Sequence, residues 1–353
     1  MRISADKDRC IGAGHCVRAA PDLFDSGADG RVTVLRPEPD PARAGLVREV
    51  VGLCPNTAIS LSGGPDEPSD ESGGNLMTVK NDDVAGFYNG TDKFSTAGRI
   101  DALWGQNLHF GYWEDDSDDS PIEVATDRLT DLMISGLDPQ PGQRVLDIGC
   151  GNGNPAMRLV RSRDVRVVGI TISELQVEQG QARAAEAGLA DRAEFRYADA
   201  MDIPFPDGSF DAAWALESML HMPDRGQVLA ETARVLRPGG RLAIADVVER
   251  GPVSPEGKVV MDHIRETYKI HSLGTVEEYR EQLAAHGFVD VEIRDISDNV
   301  LRTGIKLADA VDASRDQFLE HASAAEVDTL THFMRQAAVT PENGYLFITA
   351  KRR

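Results

Sequence analysis

A glycine-rich stretch in the middle of the chain, Arg-Val-Leu-Asp-Ile-Gly-Cys-Gly-Asn-Gly-Asn-Pro-Ala at residues 144–156, restricts the fold most strongly. Its first five residues are mostly apolar, as in a buried parallel strand. Gly149, Gly151 and Gly153 follow at alternate positions, and Pro155 begins a helical pattern. Glycine allows a sharp turn and a ligand against the backbone, and a helix N-terminus offers unpaired N–H donors. The stretch therefore predicts a nucleotide-like cofactor at the carboxyl edge of an open α/β sheet.

The glycine spacing separates this stretch from the dinucleotide-binding pattern G-x-G-x-x-G. Here Asp147 is followed by glycine at every second position. A tight strand-to-helix turn without a ligand is the alternative interpretation. The Asp, the glycine spacing and a downstream Arg237-Pro-Gly-Gly240 turn resemble the class I S-adenosylmethionine-dependent methyltransferases. This resemblance implies an α/β, Rossmann-like domain with a seven-stranded sheet and a helical cap or lid.

The resemblance also implies which residues bind S-adenosylmethionine. Thr171 stands where many members of the family have a ribose-binding Asp or Glu, and Gln176 follows in a run that antibiotic methyltransferases share. Asp199 would face the adenine amino group, although an Asp at this position is also a good helix cap. The expected cofactor-binding residues are Gln106, His109, Gly149, Gly151, Thr171, Ile172, Gln176, Asp199, Ala200 and Leu216.

An aromatic segment at residues 103–113 precedes the sheet. Aromatic residues at this density usually pack in a core. In the resembling family such a segment closes over the methionine end of the cofactor. For Gln106 and His109, packing in the core and binding of the cofactor therefore both remain open. For Trp104 and Trp113 we expect packing.

His221 and Asp246 are the expected catalytic residues. Together with Glu217 they lie at or just past the carboxyl ends of two predicted strands, so the three side chains should converge at the cofactor edge of the sheet. An imidazole can take a proton from an alcohol or amine near neutral pH. A carboxylate bonded to the imidazole would fix its tautomer, and we expect Asp246 to be that partner.

Residues 106–246 are similar to the rebeccamycin-type sugar O-methyltransferases of actinomycetes. That family has a His-His pair before Met-Pro-Asp, whereas this chain has Leu220-His221. The primary expectation is O- or N-methylation of a small-molecule natural product. The alternative reaction is C-methylation of a prenyl chain, another alkene or an activated carbon. The alternative interpretation of His221 is a structural residue without a chemical role.

Three cysteines mark the N-terminal segment: Cys10, Cys16 and Cys54, the last followed by proline. Small bacterial ferredoxins hold an iron–sulfur cube with C-x2-C-x2-C and a distant C-P. Ala13 stands at the middle position and cannot bind iron. Three thiolates indicate a 3Fe-4S cluster. Buried free thiols, or a zinc site that includes His15, are the alternatives.

The same segment resembles the single-cluster actinobacterial ferredoxins that reduce cytochromes P450. The resemblance implies a small α+β domain, a P450 or other oxygenase as electron acceptor, and a ferredoxin reductase as donor. We expect a hairpin at Asp29-Gly30, a helix at 41–53, and pairing of residues 58–61 with a first strand at 2–5. The first two cysteines are expected in a loop at 10–16.

Residues 63–76 are small, acidic and interrupted by proline, which predicts a flexible linker. The expected domains are therefore a ferredoxin at 1–62 and a methyltransferase at 77–353. Strands of the second domain are predicted at 145–148, 165–171, 210–216 and 241–246, with an antiparallel pair at 288–293 and 345–350. A helix is predicted at 275–286, and a lid at 251–272 and a helical insertion at 296–339 are expected to cover the substrate.

The net charge of −21 argues against a nucleic-acid or anionic-membrane partner. No apolar run reaches the length of a membrane span, and no signal peptide opens the sequence. Four cysteines do not resemble a disulfide framework, so we expect a cytoplasmic protein. Two functions compete: a methyltransferase of secondary metabolism, and an electron carrier with a secondary transferase domain.

Overall fold

The structure is a computed structural model. It describes residues 2–7, 9–10, 15–27, 29–40, 43, 47, 50–51, 58–62, 81–89, 106–320 and 322–353. The chain separates into two compact units, Met1–Leu76 and Met77–Arg353.

The N-terminal unit contains two small antiparallel pairs of strands. Strand β1 (Arg2–Ala5) pairs with β4 (Ile59–Ser62), and β2 (Phe24–Ser26) pairs with β3 (Val32–Val34). Gly30 has φ of +75°, which suits the turn between β2 and β3. The predicted hairpin and the predicted pairing of the segment's two ends are therefore confirmed.

Helix α1 (His15–Ala19) corrects the expectation that Cys16 lies in a loop. Cys16 is buried and Cys10 half-buried, and both contact the same small apolar core around Phe24. Ala13, Cys54 and most of the predicted helix at 41–53 lie outside the described residues.

One sheet organises the larger unit. Its strands are β5 (Arg144–Ile148), β6 (Arg166–Thr171), β7 (Ala193–Tyr197), β8 (Phe210–Leu216), β9 (Leu236–Glu249), β10 (Phe288–Asp295) and β11 (Asn343–Arg352). Their order is β10-β11-β9-β8-β5-β6-β7, and β11 runs antiparallel to both of its neighbours. The remaining pairs are parallel, so the expected class I α/β fold is confirmed.

Helices cover both faces of this sheet, which explains why its strands are apolar on both sides. Val145 and Trp214 pack in a core on one face, and Leu146 and Ala213 pack in a core on the other. The described helices of this unit are α2 (Asn81–Tyr88), α3 (Ile122–Leu137), α4 (Asn154–Arg163), α5 (Glu174–Glu186), α6 (Arg225–Val235), α7 (Pro255–Thr267), α8 (Val276–Ala285), α9 (Ser297–Val300), α10 (Thr303–Ala313), α11 (Arg315–Leu319) and α12 (Ala324–Val339).

The helices after β9 agree with the sequence expectations. Thr275 and Glu278 form a capping box at the start of α8, and Gly287 follows its end with φ of +80°. Helices α9 to α12 form the predicted insertion between β10 and β11. No described helix has both the length and the apolarity that a bilayer span requires.

Strand β9 begins earlier than the predicted residue 241. Its pairing with β8 advances from Leu236 to Arg241 while the partner strand advances only from Phe210 to Ala212. The predicted Arg-Pro-Gly-Gly turn therefore bulges out of a continuous strand.

Candidate active site

The glycine loop after β5 leaves open space on one side only. Gly149, Gly151 and Gly153 all have positive φ, between +52° and +82°. A Cβ on Gly149 would lie 2.3 Å from Ser218, and one on Gly153 would lie 2.5 Å from the Phe195 ring. A Cβ on Gly151 would meet nothing within 4 Å. The loop thus leaves a space at Gly151 that a ligand can enter.

Two asparagines join this loop to the aromatic segment. The buried Asn152 donates from Nδ2 to the Gln106 carbonyl at 3.1 Å, and Asn154 donates to Oδ1 of Asn107 at 2.8 Å. Gln106 therefore reaches the loop through its backbone, while its side chain is exposed.

His109 is packed inside the protein. Its Nδ1 lies 2.9 Å from the Phe110 carbonyl, and its Nε2 lies 3.0 Å from the Thr130 hydroxyl. Burial lowers the pKa of His109 to about 4. Both ring nitrogens already have protein partners, so the ring has none left for a cofactor. Trp113 is also buried, as its packing role predicts, and Trp104 lies outside the described residues.

Thr171 and Gln176 form a buried pair at the carboxyl end of β6. The Thr171 hydroxyl donates to Oε1 of Gln176 at 2.8 Å and accepts the Ser173 backbone N–H at 3.2 Å. Ser173 caps α5 by accepting the Gln176 N–H. Ile172 between them is half-buried. These contacts hold two polar side chains where the resembling family has a ribose-binding carboxylate.

Asp199 follows β7 and forms a local turn. Its Oδ1 accepts the Met201 N–H at 2.8 Å, and its Oδ2 accepts from Asn81 Nδ2 at 3.2 Å. Helix α2 thus contacts the expected adenine site. Ala200 and Leu216, the other expected residues at this edge, are buried.

A cavity of about 990 Å³, counted with the solvent space at its mouth, lies between the sheet edge and the cap helices. Its wall is mostly apolar, and the lining residues include Leu108, Phe110, Ile264, Leu307 and Met334. Tyr88, Glu217 and His221 contribute polar groups to the same wall. The lining of the cavity therefore suits a largely apolar group beside a small number of polar groups.

The structure gives His221 a defined tautomer. Its Nδ1 lies 3.1 Å from the Lys269 carbonyl, and a carbonyl can only accept, so Nδ1 carries the proton. Nε2 is then an acceptor and receives the Tyr88 hydroxyl at 2.9 Å. Burial lowers the pKa of His221 to about 4, which keeps the imidazole neutral near pH 7. The ring is therefore a base whose lone pair lies at the cavity wall.

Asp246 does not bind His221, and that expectation was wrong. Its Oδ2 accepts the Tyr279 hydroxyl at 2.6 Å, and burial raises its pKa to about 7. Neighbouring residues of a strand point to opposite faces. Val247 lines the cavity, so Asp246 points to the other face, where α8 supplies Tyr279.

Glu217 is held in a left-handed conformation, with φ of +49°, directly after β8. Its Oε1 accepts the Phe110 N–H at 2.7 Å and the Tyr345 hydroxyl at 2.6 Å. Burial raises its pKa to about 8 despite these two donors. A carboxyl group at the cavity wall is thus mostly protonated at pH 7.

Sequence reasoning missed Tyr88, the Lys269 carbonyl and Tyr279. The Phe-Tyr-Asn run at 87–89 is visible as an aromatic signal, but only the fold brings Tyr88 to His221. Among the described residues, no group of three His, Cys, Asp or Glu side chains can hold a metal ion. Cys54 is not among those residues.

Comparisons with known proteins agree with this architecture. Residues 145–240 match the family model described as a methyltransferase domain, and residues 5–61 match the 4Fe-4S single cluster domain of ferredoxin I. The 27-O-demethylrifamycin SV methyltransferase of Amycolatopsis mediterranei is 43% identical over 74% of this chain and 95% of its own length. Methyltransferase GfsG of Streptomyces halstedii is 36% identical over 79% of this chain and 97% of its own.

A solved structure of similar fold also matches the chain. The cyclase SpnF has 30% sequence identity and a TM-score of 0.64, covering 77% of this chain and 96% of its own. The similarity to the methyltransferases runs through nearly the whole length of each relative. The chain therefore belongs to the S-adenosylmethionine-dependent methyltransferases and carries a ferredoxin domain ahead of its methyltransferase domain.

Proposed function

We propose that the protein methylates a hydroxyl group of a small-molecule secondary metabolite, with His221 as the general base. The observation that carries this proposal is the neutral His221 imidazole, whose Nε2 accepts a hydroxyl proton at the wall of the cavity. An alcohol bound in place of the Tyr88 hydroxyl would present its proton to the same lone pair.

The expected cofactor residues are compatible with S-adenosylmethionine, which supplies an electrophilic methyl group when bound. Gly149 and Gly151 would let it lie against the backbone, and Thr171 with Gln176 would bind its ribose hydroxyls. Asp199 would accept from the adenine amino group, in exchange for or beside Asn81. Of the residues predicted from sequence, His109 would act only by packing.

His221 would act without help from a carboxylate. The Lys269 carbonyl holds the ring through Nδ1, so Nε2 stays directed at the cavity. As the acceptor oxygen forms its new bond, its proton moves to Nε2, and the lowered pKa ensures that the base starts unprotonated. The apolar wall would exclude water and fix the acceptor in line, which supplies much of the rate enhancement.

Two observations favour oxygen over carbon as the methylated atom. Relatives with 43% and 39% identity are named for O-methylation: the 27-O-demethylrifamycin SV enzyme and O-methyltransferase resE of Aspergillus sclerotiorum. In addition, none of the described residues that line the cavity is Lys or Arg, so the wall has no cationic side chain of its own to pair with a prenyl diphosphate. Incubation with methyl-labelled S-adenosylmethionine and either 27-O-demethylrifamycin SV or extracts of the producing organism tests the proposal. Label recovered as a methyl ether supports it, and label on carbon contradicts it.

For the N-terminal domain we propose a 3Fe-4S cluster held by Cys10, Cys16 and Cys54. The chain has one further cysteine, Cys150, which is buried in the glycine loop of the methyltransferase domain. The Val32 N–H donates to Sγ of Cys10 at 3.2 Å, a contact that would stabilise a thiolate ligand. Anaerobic purification and EPR provide the test. A signal in the oxidised protein that disappears in Cys16→Ala supports the assignment, and an oxidised protein that is EPR-silent contradicts it.

We further propose that this cluster passes electrons from a ferredoxin reductase to an oxygenase such as a P450, and does not take part in methyl transfer. Displacement at a sulfonium moves an electron pair and needs no reductant, and the acidic segment at 63–76 suits a tether. A chain that begins at Met77 should therefore methylate at the full-length rate. Loss of methylation in a correctly folded chain of that kind would contradict this separation.

A further inference from the structure

Glu217 keeps one carboxyl oxygen free at the cavity wall. Its Oε1 accepts both the Phe110 N–H at 2.7 Å and the Tyr345 hydroxyl at 2.6 Å. Its Oε2 has no hydrogen-bond partner among the described residues. This oxygen is not one of the fully buried polar atoms without a partner, so it retains accessible surface. Because Glu217 is half-buried and lines the cavity, a ligand can reach Oε2.

The fold fixes the direction of this carboxyl group. Glu217 has φ of +49°, while its backbone N–H donates to the Ala245 carbonyl of β9 at 2.8 Å. The two donors on Oε1 come from the aromatic segment and from β11, and the Phe110 and Tyr345 rings stack with centroids 5.9 Å apart. A residue with a side chain is strained in the left-handed region and stays there only where its surroundings hold it. The position of Oε2 is therefore set before a ligand binds.

The hydrogen bonds to Oε1 determine which oxygen carries the proton. Burial raises the pKa of Glu217 to about 8, so the group is mostly protonated at pH 7. Oε1 has two lone pairs, and two donors occupy them. The proton is therefore on Oε2, and the accessible oxygen is a hydrogen-bond donor.

This donor lies in the same cavity as the proposed base. The Tyr88 hydroxyl is bonded to Nε2 of His221, and the pKa of Tyr88 is raised by burial and, to a smaller extent, by the charge of Glu217. Such an effect requires the carboxyl group to lie near the Tyr88 side chain. All three residues line the cavity. Oε2 and the base therefore face the same bound molecule.

We propose that Glu217 is a specificity-determining residue, which donates a hydrogen bond from Oε2 to a carbonyl oxygen of the acceptor molecule. The inference rests on the proposed function, in which the cavity holds the acceptor. A carbonyl oxygen fits because it only accepts, whereas a hydroxyl would need an acceptor for its own proton and both lone pairs of Oε1 are occupied. The acceptor class is then a hydroxylated ketone, lactone or quinone with an apolar skeleton.

Calorimetry on the full-length chain with two probes, acetophenone and α-methylstyrene, tests this site without any methyl transfer. The probes have nearly the same shape, but α-methylstyrene has a methylene group in place of the carbonyl oxygen. At pH 6.5 we expect the wild-type protein to bind acetophenone roughly tenfold more tightly, because only acetophenone accepts from Oε2. At pH 9 the ionised Glu217 no longer donates, so the preference should fall to roughly twofold or less.

Glu217→Gln separates hydrogen-bond donation from charge. The amide oxygen can accept from Phe110 and Tyr345, and the amide N–H can donate to the probe at either pH. This variant should therefore keep a preference of roughly tenfold at both pH 6.5 and pH 9. Glu217→Leu should lose the preference at both pH values. The Gln variant remains informative if the Leu variant fails to fold.

Other titratable groups near Glu217 do not produce this pattern. The following keep their charge between pH 6.5 and pH 9, because burial raises the pKa of the tyrosines and lowers that of the histidines to about 4: Tyr88, Tyr268, Tyr345, His221 and His263. Burial raises the pKa of Asp246 on β9 to about 7, so this residue does titrate. Asp246 is retained in Glu217→Gln, and any effect of its charge would appear there as well.

Glu256→Gln is the matched control, because Glu256 is exposed and lies outside the cavity lining. It should behave like the wild type at both pH values. A wild-type protein without the preference at pH 6.5, a wild-type preference that persists at pH 9, or a preference that survives Glu217→Leu would overturn the proposal. Loss of the preference in Glu217→Gln at pH 6.5 would overturn it too. Methyl-transfer assays on the same preparations report on the proposed function separately, since binding of either probe requires no cofactor.

Discussion

The Tyr88 hydroxyl lies 2.9 Å from Nε2 of His221, with the two rings perpendicular and their centroids 5.4 Å apart. The nitrogen that we assign as the base is thus already bonded to a hydroxyl, contributed by a helix 133 residues earlier in the chain. An acceptor alcohol must either replace that hydroxyl or be bridged by it. Tyr88 and His221 therefore act on the same proton.

A double-mutant cycle tests this coupling. Tyr88→Phe should slow methyl transfer by roughly tenfold when His221 is present and should have no further effect in a His221→Ala background, because residues that share one step are not additive. Initial rates of the four proteins give the coupling directly. Tyr197→Phe, at an exposed tyrosine that does not line the cavity, is the control. Equal effects of Tyr88→Phe in both backgrounds would show independent roles.

The pH dependence of the rate should lack the usual histidine limb. Burial lowers the pKa of His221 to about 4, so the base is unprotonated throughout the range from pH 5.5 to 7.5. Protonation blocks a base, so activity should be lost only as the pH falls toward 4. Measurements of kcat/KM as a function of pH test this expectation. A fall in kcat/KM centred near pH 6.5, the ordinary pKa of histidine, would mean either that His221 is exposed to solvent or that it is not the base.

Gly151→Val should abolish most of the affinity for S-adenosylmethionine. The variant places side-chain atoms in the open space beside the glycine loop, where a Cβ now meets nothing within 4 Å. Gly142→Val is a matched control, since Gly142 also has positive φ and open space but precedes β5. Both variants carry the same kind of backbone strain. Calorimetry with S-adenosylmethionine should show at least a tenfold weaker Kd for Gly151→Val alone, and equal losses in both would mean that strain is the cause.

Glu217 should make the protein less stable at alkaline pH. Burial raises its folded pKa to about 8, above the ordinary 4.5, so its stabilising contribution is complete below pH 4.5 and is lost as the pH rises through 8. Glutamine has no charge to gain, so Glu217→Gln should lose less Tm than the wild type between pH 6 and pH 9. Glu256→Gln, at an exposed acid, should lose as much as the wild type. Identical pH dependence in Glu217→Gln and wild type would contradict the raised pKa of the Glu217 carboxyl group.

The strands of the sheet could be predicted because the patterns that specify them lie in short, contiguous stretches of sequence. A parallel strand covered on both faces needs a continuous apolar run, and the glycine triplet marks a turn that side chains do not fit, since a Cβ on Gly149 or Gly153 would clash. The capping residues of α8 are likewise only three positions apart in the sequence. The helical position of Cys16 was missed because α1 has only five residues and no apolar periodicity of its own.

The partners of the catalytic groups were not predictable in the same way. In a strand buried on both sides, apolar residues do not reveal which face Asp246 takes, and only the packing of α8 directs it to Tyr279. His221 is held by the backbone carbonyl of residue 269, and every amino acid has such a carbonyl, so the side chain at that position does not reveal the contact.

The central claim is that His221 removes the proton of a bound hydroxyl. Single-turnover transfer of the methyl group to the identified acceptor, measured in wild type and His221→Ala at pH 7.5, tests this claim most directly. We predict a rate at least roughly a hundredfold lower in the variant, with the Kd for S-adenosylmethionine unchanged within about twofold. A near wild-type rate in His221→Ala would contradict the account and would indicate an acceptor atom that has no proton to lose.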